Sequence, residues 1–357
     1  MQQDSRGLVR ERRNQSFDLI RILLATLVLL SHAPDVTDGN TSREIFTVLT
    51  HSGVSFGTLA VDGFFLLSGF LIVRSWEHDP NFLNFLRKRI LRIVPGYVVA
   101  FLLSTIAVGL LAPSEHGFFR HLGPVFIRSL LELQPPRTPP VLSGQHYPVV
   151  NQSMWTIAYE FRCYMLIACI GMLGGLKRPA LWVAATLVFL IGFSMPAVTD
   201  RIPWSHHLDP FLGNPTQEFR LIATYFVGAS FYLFRKKISF RPYLAVIAAV
   251  VLLSVCIAAP RYLEIALVLA GGYLMFYFGQ SKTGSRIRIK GLPDISYGIY
   301  LYGWPVECLW IWFERGSPWV TFMAAVSICV PLALLSWHFV ERPMLSLKRR
   351  STAPLPS

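Results

Sequence analysis

The sequence predicts an all-α protein: a polytopic transmembrane helical bundle of about ten spans with both termini cytoplasmic. Three observations carry this. Of 357 residues, 53% are hydrophobic and only 15% charged, with a mean hydropathy of +0.47, far from the balance of a soluble domain. The apolar residues come in long blocks divided by short charged clusters. Every second cluster is rich in Lys and Arg, the positive-inside pattern of a multi-pass chain. Residues 1–357 therefore read as one membrane domain, with 1–16 a basic cytoplasmic tail and 342–357 a second cytoplasmic tail, disordered at "STAPLPS".

Candidate spans fall at 17–33, 55–73, 93–112, 157–173, 180–197, 218–234, 242–258, 262–279, 294–313 and 319–340. With the N-terminus inside, the inner segments begin with Arg6, Arg10, Arg12 and Arg13, then Arg74, Arg87, Lys88, Arg89 and Arg92, then Lys177 and Arg178. Arg235, Lys236, Lys237 and Arg241 follow, then Lys282, Arg286, Arg288 and Lys290, and last Arg342, Lys348, Arg349 and Arg350. The outer segments hold Arg43, Arg120, Arg128, Arg137, Arg201, Arg220, Arg261 and Arg315. A missed span would break this alternation. Topology accounts for the net charge of +13, so the basic residues call for no nucleic-acid partner.

The first apolar block resembles a signal peptide in its basic lead and its "SHA", but the charged residues inside it argue for an uncleaved helix. Outer segments 113–156 and 198–217 are long and rich in Pro and polar residues, and their Trp and His content predicts a partly ordered surface near the membrane. Cys163, Cys169, Cys256, Cys308 and Cys329 all fall in apolar blocks, without metal-ligand spacing or a disulfide framework, and read as small buried hydrophobes. No metal is expected.

Five stretches carry chemistry. The first is "FDLIRILLATLVLLSHA", residues 17–33. A helix advances about 100° per residue, so Arg21 and His32 lie within about 20° of one another and Asp18 within about 40° of His32. Such a stripe cannot face lipid. Histidine titrates near neutrality and suits a general base, whereas Asp18 and Arg21, three apart, also suit a plain intrahelical ion pair. The second is "FLRKRILRIVPGY", read as the start of the third span, where Arg87, Lys88, Arg89 and Arg92 are either topogenic or an anion site assisted by helix N-terminal amides. The third is "VDGFFLLSGFLI", where Asp62 reads as a structural hydrogen-bonding group among small residues. The fourth is "NQSMWTIAYEFRCYM", in which Trp155 and Glu160 either line an acceptor pocket or, for Glu160, pair with an arginine elsewhere. The fifth pairs "DISYGIYLYGWPVE" with "WHFVERPM", whose Glu341 stands ready to neutralise one of the 87–92 arginines.

Together and in this order, these stretches resemble the bacterial acyltransferase-3 family of integral membrane O-acyltransferases. Arg21 and His32 match its arginine, ten residues, histidine pattern, and Arg87-Lys88-Arg89 its R-x-R. "FFLLSGFLI", "SMWT" with Glu160, "SYGIYL" and "FVERP" with Glu341 resemble its further motifs. One departure is that many members read "YLxHWP" where this chain reads "YLYGWP", so Gly303 replaces a histidine. The resemblance implies acyl transfer, acetyl first, from cytosolic acyl-CoA as co-substrate to a hydroxyl of a saccharide or glycolipid, at a bacterial inner membrane and with no other cofactor. It implies His32 and Arg21 as catalytic residues. Along one helix His32 lies about 16 Å beyond Arg21, so a coenzyme A held at the arginines has its pantetheine to bridge inward. The rival from another class is a transporter or flippase for an acyl or glycan carrier, against which the chain shows no internal repeat.

Overall fold

The computed structural model describes residues 2–40, 43–202, 213–280, 293–314 and 316–350, with side chains between 16 and 347. Helices dominate, and the one β-bridge among the described residues joins Pro113 and Val141. In chain order they are α1 (Gln2–Asp38), α2 (Phe56–His78), α3 (Phe82–Leu111), α4 (Trp155–Met172) and α5 (Pro179–Ser194). Then come α6 (Pro215–Leu233), α7 (Pro242–Ala258), α8 (Pro260–Gln280), α9 (Ser296–Phe313) and α10 (Pro318–Leu347). Each expected span coincides with one of them. Five stretches, Ser16–Asp38 of α1, α2, α3, α8 and α10, are long and apolar enough to cross a membrane; α5 and α7 are apolar but shorter. This is a multi-pass helical membrane protein.

Side-chain caps set several helix starts. Ser55 accepts from the Thr58 amide, Asn81 from Asn84 and Asn214 from Gln217. Two boundaries differ from expectation. The helix α1 does not stop at 33 but runs through Pro34 to Asp38, so Asp35 and His32 share it. A proline removes one backbone donor without ending a helix that packing holds. The helix α3 begins at Phe82, not near 93, so Arg87, Arg89 and Arg92 sit in its second and third turns. The free amides of a helix N-terminus belong to its first four residues, so those arginines do not share them.

The chain divides into two compact units. The first comprises residues 1–24, 45–80 and 163–292. Within it, α2 and α6 touch backbone to backbone: a Cβ on Gly69 would strike the Tyr225 carbonyl and one on Gly228 the Leu66 carbonyl, so only glycine fits at either position. Trp182 of α5 stacks on Phe226 of α6 at 4.5 Å.

The second unit comprises residues 25–44, 81–162 and 293–357. Here α9 packs on α10 and α3, with Gly298 against the Ala333 backbone. Segment 113–156, expected to be partly ordered, is tied down. Leu142 donates its amide to the Ala112 carbonyl, the Gln145 side chain donates to the Cys308 carbonyl at 2.9 Å, and Asn151 donates to the Leu301 carbonyl at 2.8 Å. Tyr97 of α3 donates to the Gln134 carbonyl at 2.7 Å. These bonds, each contributing about 1 kcal/mol, fix the segment, whose Val141 and Val150 pack in one cluster with Val36 and Trp304.

Cys163, Cys308 and Cys329 are buried and Cys256 half-buried, but Cys169 is exposed, against expectation. On an apolar helix a cysteine is as compatible with a lipid-facing position as with a core one. The basic segment 282–290 and the "STAPLPS" tail lie outside the described residues.

Candidate functional site

Within the second unit, His32 of α1 meets Glu307 of α9, with Nδ1 3.5 Å from Oε2. Glu307 has no exposed surface, whereas the His32 side chain keeps 18% of its own. Among the described residues, neither the His32 Nδ1 nor either Glu307 oxygen has a hydrogen-bond partner. The indole of Trp304, one turn before Glu307 on α9, stands edge-on to the imidazole at 4.9 Å and 83°. The phenol ring of Tyr147, from segment 113–156, lies 5.6 Å from the same indole.

Asp35, one turn beyond His32, is electrostatically coupled to Glu307 and has a buried oxygen without a partner. Burial first, and then the charge of Asp35, push the Tyr147 phenol up from its ordinary value. An imidazole, two carboxylates, an indole N–H and a phenol thus gather in an otherwise apolar pack, and a partly exposed imidazole can accept a proton from a hydroxyl.

The packing explains this register. A Cβ on Gly303 would lie 2.6 Å from Leu29 Cδ1, so the family's histidine has no room here unless Leu29 moves. Leu29 fits against the bare glycine backbone. One turn further along each helix, His32 meets Glu307.

The other expected residues are distributed as follows. Arg21 lies in the first unit, within 3.4 Å of Asp18, each side chain 24% exposed, which is the plain ion-pair geometry. In the second unit Arg92 binds Asp294, and its other arm lies 3.9 Å from Glu341; Glu341 accepts in turn from Ser336 at 3.3 Å. Arg87 donates to the Leu347 carbonyl at 3.3 Å, and the Arg89 guanidinium stands over the Phe85 ring at 5.6 Å. Trp155 opens α4 with its ring 5.5 Å from Tyr159, and Glu160 follows half-buried on that helix. Nearby, Thr156 and Tyr300 share a hydrogen bond of 2.7 Å.

Asp62 has a definite partner in the first unit. Arg220 donates to Asp62 at 2.9 Å, to Glu264 at 2.5 Å, to Gln217 at 2.9 Å and to the Thr58 carbonyl at 3.3 Å. Sequence reading placed Arg220 in an outer loop; it is a buried residue of α6.

Glu307 and Asp35 escaped the sequence reading. A carboxylate within the apolar block 294–313 was signal enough for Glu307. Asp35 lies two residues beyond the expected span 17–33, in the part of the helix that runs on to Asp38.

A helical membrane chain with a partly exposed histidine among buried carboxyls fits a transferase acting at a membrane, and similarity to known proteins defines the class. The chain is an acyltransferase. Residues 14–338 match the acyltransferase domain of the acyltransferase-3 family, and the chain belongs to that family. It is 25% identical to the O-acetyl transferase of Shigella phage Sf6 over 94% of this chain and 97% of that protein. It is also 25% identical to Nodulation protein 10 of Rhizobium leguminosarum bv. viciae, over 93% of this chain and 94% of the other. The Acyltransferase MdmB of Streptomyces mycarofaciens is 28% identical over 49% of this chain and 44% of its own length. No solved structure matches.

Proposed function

We propose that this protein transfers an acyl group, acetyl in the first instance, from cytosolic acyl-CoA to a hydroxyl of a carbohydrate or glycolipid at the bacterial cytoplasmic membrane. All ten helices then span, with both termini inside. The observation that carries the reading is the imidazole of His32, partly exposed, facing Glu307 and set in a family of acyltransferases. The name of the phage relative, O-acetyl transferase, supports acetyl and an oxygen acceptor.

In this reading His32 takes the proton of the acceptor hydroxyl as its oxygen attacks the thioester carbonyl. The carbon–sulfur bond breaks, the coenzyme A sulfur takes the proton back from the imidazolium, and an O-acyl ester is left on the acceptor. Arg87 and Arg89 are the candidates for the phosphates of the donor. Arg92, already engaged by Asp294 and close to Glu341, anchors α3 instead. Trp155 and Glu160 are candidates for the acceptor side. Arg21 completes the family's pattern with His32.

The test is His32→Ala in intact membranes, with labelled acetyl-CoA as donor. Removing a general base costs roughly 10²–10⁴-fold in rate, so transfer falls by that factor while the protein inserts normally. Wild-type transfer by correctly inserted His32→Ala protein would refute the assignment. Acyl release without transfer to any membrane glycan would argue against the carbohydrate acceptor.

A further inference from the structure

The geometry points to Glu307 as the residue that positions and charges the His32 base, an inference that rests on the function proposed above. A carboxylate with no exposed surface and no hydrogen bond is expensive to bury, and such a group is retained where a partner compensates it. From α1 it faces the carboxyl of Asp35, a like charge, and the imidazole of His32, 3.5 Å away; of the two, the imidazole is the group that can compensate it. The distance is an ion-pair distance without the alignment of a hydrogen bond. Acid–base pairs in empty sites are often loose and tighten only when substrate is bound.

The pairing has a direction. The imidazole turns Nδ1 toward Glu307, so a proton held on Nδ1 is positioned for donation to the carboxylate once the pair tightens. That leaves Nε2, on the far side of the ring, with the lone pair a general base needs. When Nε2 takes the acceptor proton, the ring becomes an imidazolium, and the adjacent carboxylate offsets its charge without moving. The proton then passes from Nε2 to the departing coenzyme A sulfur, and Glu307 ends as it began. Trp304, edge-on at 4.9 Å, restricts the ring from turning away. The device depends on Gly303, because the bare backbone there admits Leu29 and brings the two helices into this register.

The experiment uses the full chain in detergent, with radiolabelled acetyl-CoA as donor and the extracted glycan and glycolipid fraction of the host membrane as acceptor. The variants are Glu307→Gln, which keeps size, Glu307→Asp, which keeps charge, Glu307→Ala, His32→Ala, and the double His32→Ala/Glu307→Ala. Glu307→Gln is expected to lower kcat by about 10²-fold or more while KM for acetyl-CoA and for the acceptor fraction stays within about twofold. Glu307→Asp recovers part of the loss. The double variant is no slower than His32→Ala alone, because Glu307 acts only through the imidazole.

Full activity of folded Glu307→Gln overturns the inference and leaves the proposed function standing. A raised KM for the acceptor at unchanged kcat also overturns it, making Glu307 an acceptor ligand. Failure of Glu307→Gln itself to fold would make the residue structural and overturn it as well. Activity in His32→Ala defeats the underlying reading instead, and is distinguished by that variant alone.

Discussion

Two buried clusters, one in each compact unit, are built from the same kinds of side chain and are finished differently. In the first unit, Arg220 divides its donors among Asp62, Glu264, Gln217 and the Thr58 carbonyl. In the second, Glu307 faces His32 with both of its oxygens unbonded. Charge engaged by a guanidinium holds helices together, even where Asp62 Oδ2 makes no hydrogen bond of its own. Charge left uncompleted beside a partly exposed base is held ready for something that arrives. Unpaired polar groups buried in a low-dielectric interior are costly, so the contrast marks where structure ends and chemistry begins.

The largest expected effect probes the completed cluster. Arg220→Ala strands Asp62 and Glu264 without their shared cation, and breaking such a network costs roughly 3–5 kcal/mol. Thermal unfolding in detergent should show a severe loss, with little protein recovered in membranes. By the same comparison Glu307→Gln should leave thermal stability within about 1 kcal/mol of wild type, since it removes a charge that makes no hydrogen bond. Equal stability losses in the two variants would dissolve the contrast.

Next in size is the donor site. Arg92 is tied to carboxylates as Arg220 is, whereas Arg87 and Arg89 stand in earlier turns of α3. If Arg89 holds a phosphate of the donor, Arg89→Ala should weaken acetyl-CoA binding about ten- to a hundredfold, a loss of roughly 1.5–3 kcal/mol. Arg89→Lys should restore only part, because an ammonium lacks the bidentate fork. Direct titration of acetyl-CoA against the purified proteins measures this. Identical affinities in all three would return the segment to topology.

Much of the fold was legible because hydrophobic blocks and basic clusters are properties of composition along the chain, which the bilayer reads in the same way. All ten candidate spans fall on helices, although five stretches satisfy length and hydropathy on their own. The chemistry was legible only in part. His32 and Arg21 stood out by helical periodicity, and Asp62 by its charge in an apolar block. Glu307 carried that same signal and was passed over amid the aromatic residues of α9. The partnership of Asp62 with Arg220, 158 positions away, has no local signature and needs the packed helices to appear. Asp35 fell outside the expected span 17–33, whereas the helix continues through Pro34 to Asp38.

The smallest expected effect decides what Arg21 does. Its 3.4 Å pair with Asp18 spans one helical turn, with both side chains partly exposed, and such a pair contributes only about 0.2–0.5 kcal/mol. Asp18→Asn removes that pair and should leave transfer of labelled acetyl groups near wild type. If the pair were all that Arg21 serves, Arg21→Ala would be just as mild, since deleting either partner removes the same interaction. If Arg21 acts on substrate, as its place in the family's pattern with His32 implies, Arg21→Ala should depress transfer far below Asp18→Asn at equal stability. The two variants assayed side by side separate an ion pair from a catalytic cation. Equal and slight effects would place Arg21 with the completed charges of the first unit, leaving His32 to carry the pattern alone.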